Sequence, residues 1–363
     1  MPLLLVYNWT GATLMVANRE DKTMENIHIL GVDLAKRTFA ICGADKNCYV
    51  NLRQKLTRPQ FQKVLSDLPP CIVAMEACGS AHHWGRIAQA AGHEVRLIPA
   101  LYVKPFVKRH KNDALDAEAI AEAASRPSMR TVAVKDEEQQ AQAMLFRTRE
   151  MFVRQRTQLI NAVRAHLAEY GIVLPQQRRN GRLFAERCRA EFGTAPEAVI
   201  SMVEAYLRQI EAVDREVAEL DVKIKKGALR NADARRLQTM PGIGPMSAMA
   251  IQAFCPPAQN FSKGRDFAAW LGLVPRQHST GGKDRLGRIT KMGQRDVRKL
   301  LIIGAMSVIS ASERKGRCED PWLAHMLEKR PRMVVAVALA NRMARRLWAM
   351  MTKEQDYEIQ VAA

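Results

Sequence analysis

From Ile27 to about Arg130, short apolar runs alternate with helix-forming stretches, and that alternation confines the region to an α/β architecture. "IHILGVDLA" and "RTFAICGA" read as strands, "CYVNL" as a third, and "CIVAMEA" as a short buried strand carrying Glu76. A helix near Ala81–Ala91, a strand "EVRLIP" and a helix over "HKNDALDAEAIAEAA" complete the pattern and predict a sheet with parallel character.

The period changes from about Asp136 to Lys226. Leu145, Phe152 and Leu159 recur at intervals of seven; in the next long helix Val203, Ile210, Val217 and Ile224 share one heptad position and Tyr206, Val213 and Leu220 another. Such a seam suits a coiled coil, and it suits equally a helical hairpin packed on its own domain. Between the two helices "PQQRRNGRLFAERCR" is basic and broken by glycine, and reads as a connector touching phosphate. From Arg230 the chain is helical again. Pro241-Gly242-Ile243-Gly244 stands between two helical patterns, as in a helix-hairpin-helix, where Gly242 and Gly244 would bring backbone N–H groups onto a DNA phosphate. An ordinary helix–helix turn has the same spacing.

Charge narrows the partners. Lys and Arg total 56 against 37 Asp and Glu, a net +19, and the commonest counterpart of such a field is nucleic acid. No run reaches the ~18 apolar residues that span a bilayer, so no membrane partner is expected. The 7 cysteines are scattered without a C-x-x-C pair, which argues against a disulfide framework or zinc and for reduced thiols in the cytoplasm. Residues 1–23 begin apolar without a basic flank and make a poor signal peptide; they read as an extension from an upstream start codon or a disordered arm, with Met24 opening the organised sequence.

Four acids could meet. Asp33 ends the first strand, and Glu76 closes an apolar strand, where a charge is costly unless paired or metal-bound. Asp113 and Asp116 stand three apart on one helical face, so they either cap a helix N-terminus or flank a cation. In RNase H-like folds the first catalytic aspartate projects from the central strand as Asp33 would. Four carboxylates converging would hold two Mg²⁺ ions for phosphoryl transfer.

"GLVPRQHSTGGKDRLGRITKMGQRDVRKLL" is the most unusual segment. Arg276, Lys283, Arg285, Arg288, Lys291, Arg295, Arg298 and Lys299 outnumber Asp284 and Asp296, and form a phosphate-binding surface by composition. Ser279 lies in its middle beside His278, before Thr280 and Gly281-Gly282. It is either a nucleophile or a hydroxyl that hydrogen-bonds phosphate.

With "GVDLAK", "MEACGS", "KNDALDAEAIAEAA", "MPGIGP" and the serine loop in this order, the chain resembles the DEDD transposases of bacterial insertion sequences over about Ile27 to Trp348. These are the families numbered one-ten and eleven-eleven, to which the Piv-type invertases are related, and the longer loop "PRQHSTGGKDRLG" is nearer the eleven-eleven branch. The resemblance implies a RuvC-like domain of RNase H-like fold (24–135), a coiled-coil segment (136–228), a mostly helical transposase domain (229–350) and a tail (351–363). It implies Asp33, Glu76, Asp113 and Asp116 as ligands of Mg²⁺, with Mn²⁺ as a substitute, and Ser279 as the nucleophile forming a phosphoserine link to DNA. The implied partners are donor and target DNA, a noncoding guide RNA from the element, and further copies of the chain, as a dimer or as a tetramer on paired DNA sites. Two departures stand out. Residues 1–23 have no counterpart, and Thr280 rather than glycine follows Ser279, so either hydroxyl could attack. Competing readings are a junction-resolving nuclease that uses metal-activated water and a catalytically silent RNA–DNA binding protein.

Overall fold

The computed structural model describes residues 26–107, 113–174, 181–193, 195–283 and 285–358. The expected N-terminal extension, the first part of the basic connector, Asp284 and the end of the tail lie outside these residues. The chain divides into two compact units between Asp136 and Glu137.

In the first unit, strands β1 (Ile29–Leu34), β2 (Thr38–Ala44) and β3 (Val50–Thr57) lead into helix α1 (Arg58–Asp67). There follow β4 (Ile72–Glu76), α2 (Ala81–Ala90), β5 (Glu94–Ile98), the single turn α3 (Ala100–Val103) and α4 (Asp113–Ser125). The sheet order is β3-β2-β1-β4-β5, with β1, β4 and β5 parallel and β2 and β3 antiparallel, which is compatible with an RNase H-like domain. The expected strands are all present. Helix α1 was not legible, because its apolar positions are only Phe61, Val64 and Leu65 among polar residues; a Thr57–Gln60 capping box and Pro59 start it instead.

Alternation along the strands sorts the two faces. Leu30, Val32, Val73 and Met75 pack with Phe61 and Trp84 under α1 and α2, while Ile29, Ile72, Ala74 and Ile98 pack with Ile120 and the alanines of α4. Phe39 meets Phe61 and Trp84 edge-on, and Phe61 and Trp84 meet at a tilt, all at 5.1–5.2 Å between centroids, which anchors the first face.

The second unit is mostly helical: α5 (Glu137–Ala168), α6 (Gly181–Ala190), α7 (Glu197–Arg230), α8 (Ala232–Leu237), α9 (Pro245–Phe254) and α10 (Gly264–Trp270). A two-stranded hairpin, β6 (Pro275–Gln277) and β7 (Leu286–Ile289), precedes α11 (Arg295–Lys315), α12 (Pro321–Lys329) and α13 (Arg332–Lys353). Helix α11 stops at Gly316, whose φ of +65° suits the left-handed cap, and Asp320 caps α12 through Trp322 N and Leu323 N.

Helices α5 and α7 run antiparallel. Val163 and Leu167 meet Val199, Val203 and Leu207 at one end, and Ala143 and Phe146 meet Ile224 and Ala228 at the other. Arg149–Asp221 (2.5 Å) and Arg156–Asp214 pair across the middle. Of the two readings of the seam from Val203 to Ile224, the described residues form the helical hairpin: α5 and α6 of the same chain pack on α7. The connector is corrected over 181–190. There it is helix α6, held on α7 by Phe184, Ala185 and Cys188 and by Arg189, which binds both Glu204 and Glu211.

All 7 cysteines are free thiols, as expected. Among the described residues no helix is long and apolar enough to cross a membrane.

Candidate active site

The acids are placed by strand alternation. Asp33 lies on the face of β1 that carries Ile29 and Gly31, and Glu76 on the face of β4 that carries Ile72 and Ala74; both faces look toward α4. The parallel register, with Val32 beside Met75, brings Asp33 level with Glu76 on adjacent strands about 4.8 Å apart. Cys78, just past β4, senses both. Burial pushes its thiol up, and the Glu76 and Asp33 carboxylates push it further.

Gly31 lets α4 come down on the sheet. A Cβ there would fall 2.3 Å from Ala117 O and 2.7 Å from Ala121 N. From that crossing the helix runs back over Ala40 and Cys42 of β2 to β3, where Asp113 and Glu118 meet Lys55 (3.2 Å) and Arg53 (2.6 Å). Lys55 pairs with Ala40, and Ala40 with Asp33, so Lys55, Ala40, Asp33 and Glu76 form one row across the sheet. Asp113 is thus tied two strands from Asp33, and Asp116 lies half-buried a turn further along α4. Among the described residues no three His, Cys, Asp or Glu side chains gather closely enough to hold a metal ion. The donor set is all oxygen, as Mg²⁺ requires, and two of its members already stand side by side. An exposed ion pair such as Lys55–Asp113 is worth only ~0–1 kcal/mol, so it is a weak obstacle to bringing the third acid over. Lys55 and Cys78 were missed by sequence reasoning. The signal for Lys55 was its place on the strand, but that requires knowing the register.

Ser279 lies near the tip of the β6–β7 hairpin. Gly281 and Gly282 have φ of +58° and +76°, and Lys283 N donates to Thr280 O, the geometry of a two-residue primed turn. His278 N bonds Arg285 O and Gln277 faces Leu286, so the extended backbone sends Ser279 to the side of Gln277 and Leu286. His278 projects to the other face, where its ring lies 3.4 Å from the Cβ position of Gly287. Sequence adjacency therefore does not make His278 the group facing Ser279. Thr280 shares the His278 side.

Ser279, Arg276, Lys283, Arg285, Arg288, Lys291 and Arg295 are exposed. Arg298 is not. It is 8% exposed, and its Nη1 donates to Leu271 O (2.8 Å) and Met292 O (3.0 Å). Its expected role at a phosphate is corrected, because its guanidinium is turned inward. Gly242 also has a reason within the fold: φ is +86°, and a Cβ there would lie 2.8 Å from Gly304 O of α11. Gly244 has nothing within 4 Å of its Cβ position and is the N-cap residue before α9.

The described residues thus offer adjacent carboxylates near strand ends in one unit and an exposed hydroxyl among cations in the other. The family model described as "Transposase IS116/IS110/IS902 family" matches residues 234–318, and a second transposase model, of the DEDD IS110 type, matches residues 30–172. A "Probable family 20 transposase" of Pseudomonas aeruginosa is 45% identical over 92% of this chain and 99% of its own length. The transposase for insertion sequence element IS1111A of Coxiella burnetii is 36% identical over 95% of both chains. A pilin gene-inverting protein of Moraxella lacunata is more distant, 23% identical over 86% of this chain and 96% of its own. The chain belongs to the IS110/IS116/IS902 family of transposases.

Proposed function

We propose that the protein is an insertion-sequence recombinase that cuts and rejoins DNA through the Ser279 hydroxyl, with Asp33, Glu76, Asp113 and Asp116 holding Mg²⁺. The observation that carries this reading is the exposed Ser279 near the tip of a hairpin, flanked by the exposed cations Arg276, Lys283, Arg285 and Arg288. Family membership supports the DNA substrate.

The Ser279 hydroxyl gives up its proton as its oxygen bonds to phosphorus, the bond from phosphorus to one deoxyribose oxygen breaks, and that oxygen takes up a proton and leaves as a hydroxyl. The phosphoserine ester conserves the energy of the broken linkage, so a second deoxyribose hydroxyl rejoins the strand by the reverse step. The surrounding arginines balance charge on the phosphate oxygens. Bound Mg²⁺ would activate the attacking oxygen and stabilise the leaving one. Asp33 and Glu76 are the adjacent pair that would receive it, and Asp116 and Asp113 the ligands supplied by α4.

The net +19 charge suits nucleic-acid partners in general, and the family resemblance implies that a noncoding guide RNA is one of them. The resemblance supports assembly of several copies on paired DNA sites.

The test is to incubate the protein with guide RNA, Mg²⁺ and a labelled nicked target, denature, and map any protein-linked label. Label on Ser279 that Ser279→Ala lacks is the expected result. Label on Thr280 moves the nucleophile by one residue, and cleavage without linked label assigns the chain to the water-using nucleases.

A further inference from the structure

We infer that Arg298 is a positioning residue for the strand-transfer step, clamping the two ends of the hairpin that presents Ser279; this rests on Ser279 being the nucleophile. The β6–β7 hairpin has no core of its own. All its described residues from Pro275 to Arg288 are exposed, and an isolated two-stranded ribbon is marginally stable in water. Its direction in space must come from its base.

There, the fit is tight enough to exclude side chains. A Cβ on Gly272 (φ +70°) would fall 2.2 Å from Met292 O, and one on Gly293 (φ +75°) 1.8 Å from Trp270 O. Thr290 N donates to Val274 O at 2.9 Å and Lys291 N to Gly272 O at 3.2 Å. Arg298 reaches both sides of this junction from α11, giving hydrogen bonds to Leu271 O before the hairpin and Met292 O after it. Asn341 of α13 adds a bond to Leu273 O at 3.2 Å. Both helices belong to the main core of the unit, so the hairpin inherits the orientation of that core.

A buried guanidinium is costly unless its donors are used. Burial, aided by nearby Arg295, pushes its pKa down, though guanidinium remains charged. Lysine could not substitute: it offers a point charge on a flexible stem, without the planar spread of donors that spans two carbonyls. Misplacing a reacting atom by about 1 Å costs on the order of 100-fold in rate, so a loosened base would slow strand transfer without touching the phosphate-binding surface.

The experiment compares wild type with Arg298→Lys, Arg298→Ala and Asn341→Ala by amide exchange, DNA binding and strand cleavage. Exchange at Thr290 and Lys291 should rise about tenfold or more in the Arg298 variants while α13 stays protected. Cleavage should fall by roughly 100-fold and DNA affinity stay within about twofold. Methylguanidinium should restore part of the Arg298→Ala rate. Should Arg298→Ala fail to fold, Arg298→Lys and Asn341→Ala carry the test. Unchanged exchange, unchanged cleavage, or an affinity loss equal to that of Arg288→Ala would each overturn the clamp. Absence of Ser279-linked DNA in wild type would instead remove the nucleophile, and would leave the exchange result to be judged by itself.

Discussion

The Asp113 carboxylate rests 3.2 Å from the Lys55 ammonium, on a strand two removed from the one that carries Asp33. The pair gives the Asp113 carboxylate a cationic partner on β3, away from Asp33 and Glu76. Substituting Lys55→Met removes a cation that competes with a metal ion for Asp113. Mn²⁺ binding, followed by calorimetry without DNA, should tighten by up to about fivefold, the reach of an exposed ion pair of ~1 kcal/mol. Weaker binding would show that Lys55 organises the site.

Each of Asp33→Ala, Glu76→Ala, Asp113→Ala and Asp116→Ala should abolish recombination and leave DNA affinity intact, since these groups sit at strand ends and a helix start outside the cores. Wild-type activity in one variant excludes that residue, and full activity in EDTA refutes the metal assignment as a whole.

Gly31→Ala should destabilise the first unit. The added carbon would collide with the backbone of α4 at Ala117 O, 2.3 Å away, and overpacking of this kind costs about 1–3 kcal/mol. Urea unfolding of the full chain, with a probe in the first unit, measures it; an unchanged midpoint would mean that α4 is loosely seated.

Arg285, Arg288 and Arg295 are exposed, so changing all three to Ala should weaken DNA binding and flatten its salt dependence. Each lost phosphate contact lowers the slope of log K against log salt by about 0.9. Equal slopes would turn attention to Arg147 and Arg154 on α5, both exposed.

Mixing a Ser279→Ala protein with an Asp33→Ala protein tests whether one site is shared between copies. Partial recovery of recombination is expected. Mixed oligomers that form and remain inactive would confine each site to one chain.

Local pattern was enough for much of this molecule. Short apolar runs carrying Asp33 and Glu76 near their ends declared strands and their acids, because strand-forming preference belongs to neighbouring residues, whereas Gly281-Gly282 marked only a pliable stretch and left the β6–β7 hairpin unread. The heptads of α7 declared a buried stripe, but not what buries it; α5 and α6 answer that from within the chain. Tertiary structure alone decided which arginine of the basic run turns inward, that Gly242 serves the approach of α11, that Lys55 holds Asp113, and that His278 and Ser279 part to opposite faces. Each of those depends on a partner distant in sequence or on a register between strands. Charge and hydrophobicity say that a side chain could bind phosphate or fill a core; packing determines which of the two it does.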